Sequence, residues 1–393
     1  MSGNLKNRHV AVIGGGIGGL CAAIACARRG ASVQVFEQAE VFGDVGAGIQ
    51  VPPNAAAVFA RLGLTAGLAD IAVEPSHVAL RDGHGGGVLA TVPVTPRAGH
   101  RFGHGHFVVH RGRLAELLWQ AADEAGIALK TDARVTADEL SDMDVVIAAD
   151  GVKSETRRSR FNGGAATFAG KTAWRALVPL TGAQTPVIQN WLLSGGHVVT
   201  YPLPMPAGWV MNIVAIEETG DPAAADWQQP GDLTAFRRRF CGHTAELDAL
   251  LMTVGAVRKW GLYTHPPLQA WHDDRVALLG DAAHPMLPFL AQGAAMAVED
   301  AWVIAESLDR IDQVADALAA YQSARIARAT AVQKASARAG RLYHMERPAR
   351  FLRNLGMVAM SRVAAHRVTS RMDWIYGWDV TQNVAGEPTA FRV

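Results

Sequence analysis

The run Gly14-Gly15-Gly16-Ile17-Gly18-Gly19 satisfies a GxGxxG spacing at Gly14, Gly16 and Gly19, and Glu37 follows at the end of an apolar stretch. Each glycine has a task in such a turn. One makes the bend, one lets the backbone approach a pyrophosphate, and one lets the following helix pack against the strand. The phosphate charge then rests on the helix N-terminus. An acid roughly 20 residues further on, here Glu37, is placed to bond the ribose hydroxyls of an adenosine. The motif specifies an adenine dinucleotide and leaves NAD and FAD both open. Two distant segments favour FAD. Ala149-Asp150-Gly151-Val152-Lys153-Ser154 ends one apolar run, and Leu279-Gly280-Asp281-Ala282-Ala283-His284 ends another, followed by Pro285, Pro288 and a helix opening near Gly293-Ala294. Asp281 at the carboxyl end of a strand is suited to a flavin's ribityl chain. The positive end of a helix starting at Gly293 and Ala294 suits the negative charge of a reduced flavin ring.

These groups need a frame. His9 to Ile13 reads as a buried strand, Ile17 to Arg29 as a helix closed by Gly30, and Ser32 to Glu37 as a second strand, a βαβ start. Leu114 to Glu124 is helical in pattern, and Asp144 to Ala149 and Arg275 to Leu279 are further buried strands. The segments Trp174 to Leu180, Val187 to Leu193, His197 to Leu203 and Trp209 to Ala215 read as short strands between Gly and Pro breaks, an antiparallel sheet inserted into the nucleotide fold. From Gly293 the chain is helical to about His344, and a break at Pro348 leads to a last helical stretch and the cluster Trp374-Ile375-Tyr376-Gly377-Trp378. The expected fold is α/β: a Rossmann-like FAD-binding domain of the glutathione-reductase type built from 1–75, 105–165 and 268–345, a sheet domain for substrate from 76–104 and 166–267, and a C-terminal helical segment, 346–393.

The chain's 393 residues are 49% hydrophobic with a formal charge of +1, which describes a globular protein with a large core and no whole-molecule field for nucleic acid or acidic membranes. A small molecule is the expected partner. Three cysteines, Cys21, Cys26 and Cys241, without CxxC spacing, argue against a disulfide framework or zinc cluster and fit a reducing, cytoplasmic setting. Lys6 and Arg8 before an apolar run ending Ala25-Cys26-Ala27 imitate a secretory signal, but five glycines between Gly14 and Gly19 would break its helix. Elsewhere no apolar stretch approaches the roughly 18 to 20 residues of a membrane span.

The three motifs, in this order and spacing, resemble those of the group A flavoprotein aromatic hydroxylases, the family of p-hydroxybenzoate and salicylate hydroxylases, over essentially the whole chain. Gly46-Ala47-Gly48-Ile49 with Pro53-Asn54, His110-Arg111-Gly112-Arg113-Leu114, Lys171 to Leu177, and Trp374 to Asp379 are also similar to it, and His284 to Ala301 is the most specific piece. The nearest likeness is to the 6-hydroxynicotinate 3-monooxygenase, 3-hydroxybenzoate 6-hydroxylase and salicylate hydroxylase branch. The resemblance implies that Gly14, Gly16, Gly19 and Glu37 hold the ADP half of FAD and that Arg111 contacts the phosphate or ribityl region. It further implies that Asp281 holds the ribityl chain, that Gly48 and Val135 join the cofactor contacts with Gly293 and Ala294, and that Asp150-Gly151 serves both FAD and a transiently bound NADH or NADPH. The implied reaction is reduction of FAD, addition of O2 to give a C4a-hydroperoxide, and oxygen transfer to a small phenolic or hydroxypyridine carboxylate. A homodimer is the assembly kept open.

Two residues are expected on the substrate side. Arg175 lies on a strand where its fork of donors suits a substrate carboxylate, the flavin edge or an interdomain salt bridge. Tyr201 aligns with a tyrosine that orients the substrate hydroxyl in the 6-hydroxynicotinate branch, and is otherwise an ordinary sheet aromatic. Two departures limit the likeness. Gln50 stands where that branch has a histidine, so a proton step by histidine is not expected there, and Thr131 to Asp144 is shorter than in the family, trimmed to Ala133-Arg134-Val135-Thr136. His100, His104, His106 and His110 cluster, but Gly103 and Gly105 break the helix that would align them, so no metal site is expected. The arginines between Arg325 and Arg371 are expected to form a solvated helical face or a subunit contact. Two other functions compete with the hydroxylase: an NAD-dependent dehydrogenase using the first βαβ unit, and a flavin-binding sensor without turnover.

Overall fold

The computed structural model describes residues 3–40, 47–94, 102–182, 184–220, 229–363, 370 and 372–382; Gly46, His100 and Arg371, singled out above, lie outside them. In chain order the nucleotide half opens with β1 (His9–Ile13), α1 (Ile17–Ala27) and β2 (Ser32–Phe36). After these come β3 (Gly48–Val51), α2 (Pro53–Arg61), α3 (Thr65–Ile71), β4 (Ala72–Val73), β5 (His77–Asp82) and β6 (Val88–Pro93). Then follow β7 (Phe107–His110), α4 (Arg111–Glu124), β8 (Ala128–Lys130), β9 (Val145–Ala148) and α5 (Glu155–Arg160). Four long strands come next: β10 (Thr167–Leu180), β11 (Ile188–Leu193), β12 (Gly196–Met205) and β13 (Gly208–Glu218). The chain continues through β14 (Gln229–Pro230), α6 (Leu233–Phe240), α7 (Ala245–Met252), β15 (Arg258–Thr264) and β16 (Val276–Leu278), and ends in α8 (Gly293–Arg310), α9 (Val314–Tyr343), α10 (Ala349–Val363) and α11 (Asp373–Tyr376).

Five strands form a parallel sheet in the order β16-β9-β1-β2-β8. Its middle strands are apolar on both faces, with Val10, Ala11, Val12 and Val145 to Ala148 fully buried, as a parallel sheet covered by helices requires. Helices α1 and α8 pack on one face in a single large core. On the other face Ala11, Ile13, Phe36 and Val146 meet Ala137, Leu140 and Met143, with Val135 packed against them. The stretch after β8 therefore works as a coil cover.

The second sheet has eight strands in the order β14-β15-β10-β13-β12-β11-β5-β6. It was expected to be antiparallel, and the β11–β5 pair is parallel. The reason is that β5 and β6 come from an earlier excursion of the chain and enter the sheet from the nucleotide side. A small third sheet, β3-β7-β4, connects the two halves. Gly48 opposes His110 in it, and Arg111 N–H bonds Ala47 C=O at 3.0 Å.

The helical run after Gly293 breaks at Ile311 to Gln313, giving α8 and a 30-residue α9. Among the described residues no helix is long and apolar enough to cross a membrane.

Candidate active site

At the β1–α1 turn the backbone is pinned on every side but one. Gly14 has φ +102°, and its N–H bonds Phe36 C=O at 2.8 Å. A Cβ on Gly14 would stand 2.5 Å from Ala149 O, and one on Gly19 would stand 2.0 Å from Gly14 O, so at both places backbone meets backbone. Gly16 differs: a Cβ there meets nothing within 4 Å. As N-cap of α1 it has no side chain to satisfy the first N–H groups, which leaves them facing that open side. Glu37 closes the turn, its Oε2 accepting from Gly15 N–H at 2.8 Å and its Oε1 from Ala39 N–H at 2.9 Å.

The ends of β9 and β16 bring two acids to the same edge. Asp150 Oδ2 accepts from Thr156 N–H at 3.2 Å, while Oδ1 is buried with no partner among the described residues. Gly151 follows with φ +77°. Asp281 sits in a 3-10 turn, Gly280–Ala282, with its side chain exposed to a cleft and protein around the remainder; that enclosure raises its pKa, with His284 and Arg111 opposing. The cleft, about 730 Å³, is walled by Asp281, Arg111, Arg175, Ala47, Trp260 and Pro288 among others. Arg175 lies with its guanidinium 4.3 Å from the Trp260 ring centroid. Burial brings its pKa down to about 10, so it stays a cation at neutral pH, and its Nε is buried without a partner among the described residues. Among the described residues no carboxylate is paired with it.

A second cavity, about 1270 Å³, shares Pro288 with the first and lies between the eight-stranded sheet and the C-terminal helices. Its wall is mainly apolar, with Phe289, Leu342, Met357 and Tyr376, and carries a few polar groups. Asn190 is one, and its Oδ1 is buried without a partner among the described residues. His106 and Gln50 are another pair, Nε2 to Oε1 at 3.2 Å, with burial pushing His106 down to about 4. A histidine therefore reaches the neighbourhood of Gln50 after all, from the residue just before β7. His197 is a third, buried beside Phe289. The sequence reading missed Asn190 and His197; their only signal was placement at the inward register of β11 and β12.

Tyr201 is on the wall of neither cavity. It is buried, with burial raising its pKa, and packs so closely beneath Gly48 that a Cβ there would stand 2.7 Å from its hydroxyl. Gly48 N–H bonds Asn212 Oδ1 at 2.7 Å, which fixes the strand over the tyrosine. Gly293 and Ala294 begin α8, as expected. Among the described residues no group of three His, Cys, Asp or Glu side chains is arranged to hold a metal ion.

The arginine-rich segment departs most from expectation. Arg325 and Arg328 are fully buried rather than solvated. Arg328 donates to both oxygens of Glu299, at 2.7 and 2.8 Å, and to the carbonyls of Trp374 and Ile375. Arg325 bridges Glu299 and Asp300 at 2.6 and 2.7 Å. Asp300 accepts from His284 Nε2 at 2.5 Å and from Gly280 N–H at 3.1 Å. Desolvation would raise Asp300, but His284 and Arg325 overcome it and hold the carboxyl down at about 2. The cluster thus ties the Asp281 turn to α8, α9 and the C-terminal aromatic segment.

Residues 104–336 match the family model described as an FAD binding domain, and residues 12–60 match an NAD(P)-binding Rossmann-like domain. The chain is 33% identical over 402 residues to a 3-hydroxybenzoate 6-hydroxylase of Polaromonas naphthalenivorans (strain CJ2), covering 97% of this chain and 98% of the relative. It is 32% identical over 348 residues to a 6-hydroxynicotinate 3-monooxygenase of Bordetella bronchiseptica, covering 84% and 90%. A solved salicylate hydroxylase substrate complex superposes with a TM-score of 0.76 at 26% identity, covering 98% and 99%. Neither the dehydrogenase nor the silent flavin binder finds support in this company. With the dinucleotide turn, the two acids at the strand ends and these full-length likenesses together, the chain belongs to the FAD-dependent aromatic-ring monooxygenases.

Proposed function

We propose that the chain hydroxylates a small phenolic or hydroxypyridine carboxylate at the expense of NADH or NADPH. In this reading 1–75, 105–165 and 268–345 carry FAD, 76–104 and 166–267 carry the substrate, and 346–393 is a C-terminal helical segment of which the described α10 and α11 line the larger cavity. The observation that carries it is the pair of cavities meeting at Pro288, one bearing Asp281, Arg111 and Arg175, the other apolar with Asn190, His106 and His197.

The residues present fit FAD. The open face at Gly16 with the α1 N-terminus suits the pyrophosphate, Glu37 suits the adenosine ribose, and the Asp150, Gly151 and Asp281 edge suits the ribityl chain and phosphate, with Arg111 beside it. Gly48 brings backbone close to the flavin region, Val135 covers the sheet behind it, and Gly293 and Ala294 open a helix whose positive end favours a reduced ring. When bound, FAD supplies the electron transfer from the nicotinamide and the activation of O2.

The chain's own residues do the rest. Arg175, a cation whose Nε has no partner among the described residues, stabilises negative charge at the flavin edge. Asn190 Oδ1 accepts a hydrogen bond from the substrate hydroxyl and fixes the ring. Phe289, Leu342, Met357 and Tyr376 keep water away from the oxygen-transfer step. Tyr201 acts on the site through Gly48.

The test is a screen of the FAD-loaded protein with 3-hydroxybenzoate, 6-hydroxynicotinate and salicylate, following NADH and NADPH oxidation and the mass of the product. The expected result is stimulated oxidation with one oxygen added to the ring. Failure of every acid to stimulate, or stimulation yielding only hydrogen peroxide, would overturn the reading.

A further inference from the structure

The larger cavity, about 1270 Å³, exceeds the roughly 300–1000 Å³ that encloses a drug-sized ligand. A bare ring acid is smaller still and fills one end of it. The polar groups gather at that end. Asn190 and His197 sit on β11 and β12, and Gln50 and His106 come from the small third sheet and its border, which pack against β12.

Strand register shows what lies beyond them. On the cavity face Asn190 opposes Val199 on β12 and Leu80 on β5, and Leu80 in turn opposes Ala90 on β6. In the neighbouring row Ile188 opposes Val78, and Val78 opposes Val92. All of these line the cavity, and within the two rows Asn190 alone is polar. The apolar floor therefore runs two strand spacings past Asn190, about 10 Å. Strands β5 and β6 are the excursion that joined the sheet through a parallel pair, so the unexpected β11–β5 pairing is what builds this floor.

Helix α10 packs over β6 and roofs the floor with Leu352, Gly356, Met357 and Met360. Leu352 is 66% exposed and Met360 38%, so both stand in the wall and at the surface, and the far end opens to solvent. Methionine side chains adapt to ligands of differing shape. Arg353 is also in the wall, but its nitrogens are taken: Nη1 donates to the Leu342 and Tyr343 carbonyls, and Nε and Nη2 donate to Asn354 Oδ1. Among the described residues no other lysine or arginine lines this cavity, so its far end suits an apolar group and not a second carboxylate.

We propose that the natural substrate is a hydroxylated ring acid carrying a long apolar substituent, with the ring against Asn190 and the substituent running over Leu80 and Ala90 towards α10. This rests on the hydroxylase reading above. The ring that reacts remains the phenolic or hydroxypyridine acid, and oxygen still goes to that ring. The substituent contributes binding, and it excludes water from the end of the cavity that a bare ring leaves empty. Each methylene fully covered tightens binding roughly fourfold. On a floor open at one end, about threefold per methylene is expected.

The experiment titrates FAD-loaded protein with salicylate and with its methyl, butyl and octyl derivatives substituted at C4 or at C5. Kd is read from the change in flavin absorbance, followed by NADH and NADPH oxidation and the mass of the product. In the better-fitting series Kd should fall on the order of 30-fold from methyl to butyl and should not rise again at octyl, with one oxygen added to the ring. Two variants fill the floor without touching the polar end. Gly356→Phe starts from a position where a Cβ meets nothing within 4 Å, and Ala90→Leu lengthens a side chain of β6. Each should remove most of the advantage of butyl while the Kd of salicylate stays within roughly threefold and its stimulation of oxidation is unchanged. A Kd that stays level from methyl to octyl in both series, or an advantage of butyl kept in both variants, would overturn the inference; hydroxylation of unsubstituted salicylate would still leave the hydroxylase reading standing. If no member of either series, substituted or bare, stimulates oxidation, that reading falls and the inference falls with it.

Discussion

Two glycines three residues apart in the β1–α1 turn, Gly16 and Gly19, should respond in opposite ways to the same methyl group. At Gly19 a Cβ would stand 2.0 Å from Gly14 O and 3.3 Å from Ala149 Cβ. Because the nearest atom is backbone, Gly19→Ala must push α1 off β1 and β9, an overpacking cost of about 1–3 kcal/mol. At Gly16 nothing lies within 4 Å, and φ is −70°, a conformation any residue adopts. Gly16→Ala gains about 0.4–1 kcal/mol from a less free unfolded chain and loses about 0.5–1 kcal/mol because alanine is a poorer N-cap than glycine. The fold should barely notice. The methyl nevertheless occupies the face on which a pyrophosphate would lie, and a loss of FAD affinity on the order of 100-fold, about 2.7 kcal/mol, is expected. Urea unfolding of FAD-free protein reads the first effect, since bound cofactor would mask it by mass action. Quenching of flavin fluorescence reads the second. Wild-type FAD affinity in Gly16→Ala would refute the proposed path of the pyrophosphate, and a wild-type unfolding midpoint in Gly19→Ala would refute the contact between turn and helix.

Three further outcomes are expected. Arg328→Met leaves Glu299 short of two hydrogen bonds inside the core and frees the Trp374 and Ile375 carbonyls, which should cost about 3–5 kcal/mol in urea unfolding; the double variant with Glu299→Met should recover part of the loss, and additive costs would contradict the pairing. His106 has a folded pKa of about 4, below the unfolded value, so the unfolded chain takes up the proton first; stability is whole above about pH 6.5 and declines as pH falls towards 4, with about 2 kcal/mol lost between pH 7 and 5 through this residue. His106→Gln should flatten that part of the pH dependence of unfolding, and an unchanged slope would count against it. Tyr201→Phe removes a hydroxyl buried under Gly48 and is expected to lower turnover up to about tenfold with bound FAD little changed; undiminished hydroxylation would separate Tyr201 from the site.

The nucleotide turn was legible because its demands are local: the Gly14 bend and the fit of α1 are decided by neighbours in sequence, and Glu37 meets Gly15 only across one βαβ unit. The long strands β10 to β13 announced themselves for a similar reason, through Gly and Pro breaks between β-rich runs. The parallel insertion of β5 beside β11 had no such signal, since pairing partners are chosen by the whole sheet. Arginine patterns mislead in the same way. Arg325 and Arg328 look like solvated helix until Glu299 and Asp300, on the preceding helix, turn out to neutralise them. His106 with Gln50, and His197 with His344, are pairs made by three-dimensional closure, and no spacing rule could have joined them.

The strand order β16-β9-β1-β2-β8 also dictates when the protein can become itself during synthesis. Strand β1 emerges first, yet β9, which covers its open edge, and β16, which completes that side, come from around residues 145 and 276. The segment before β1 closes the loop even later, with Leu5 N–H on Asp309 Oδ1 and Asn4 N–H on the Asp309 carbonyl. At roughly 5–20 residues per second the first strand waits on the order of ten seconds or longer for its neighbours. Throughout that interval an apolar edge with unpaired backbone is open to any other strand it meets. Slowing translation between β9 and β16 should therefore lower the yield of folded protein without altering a single native contact.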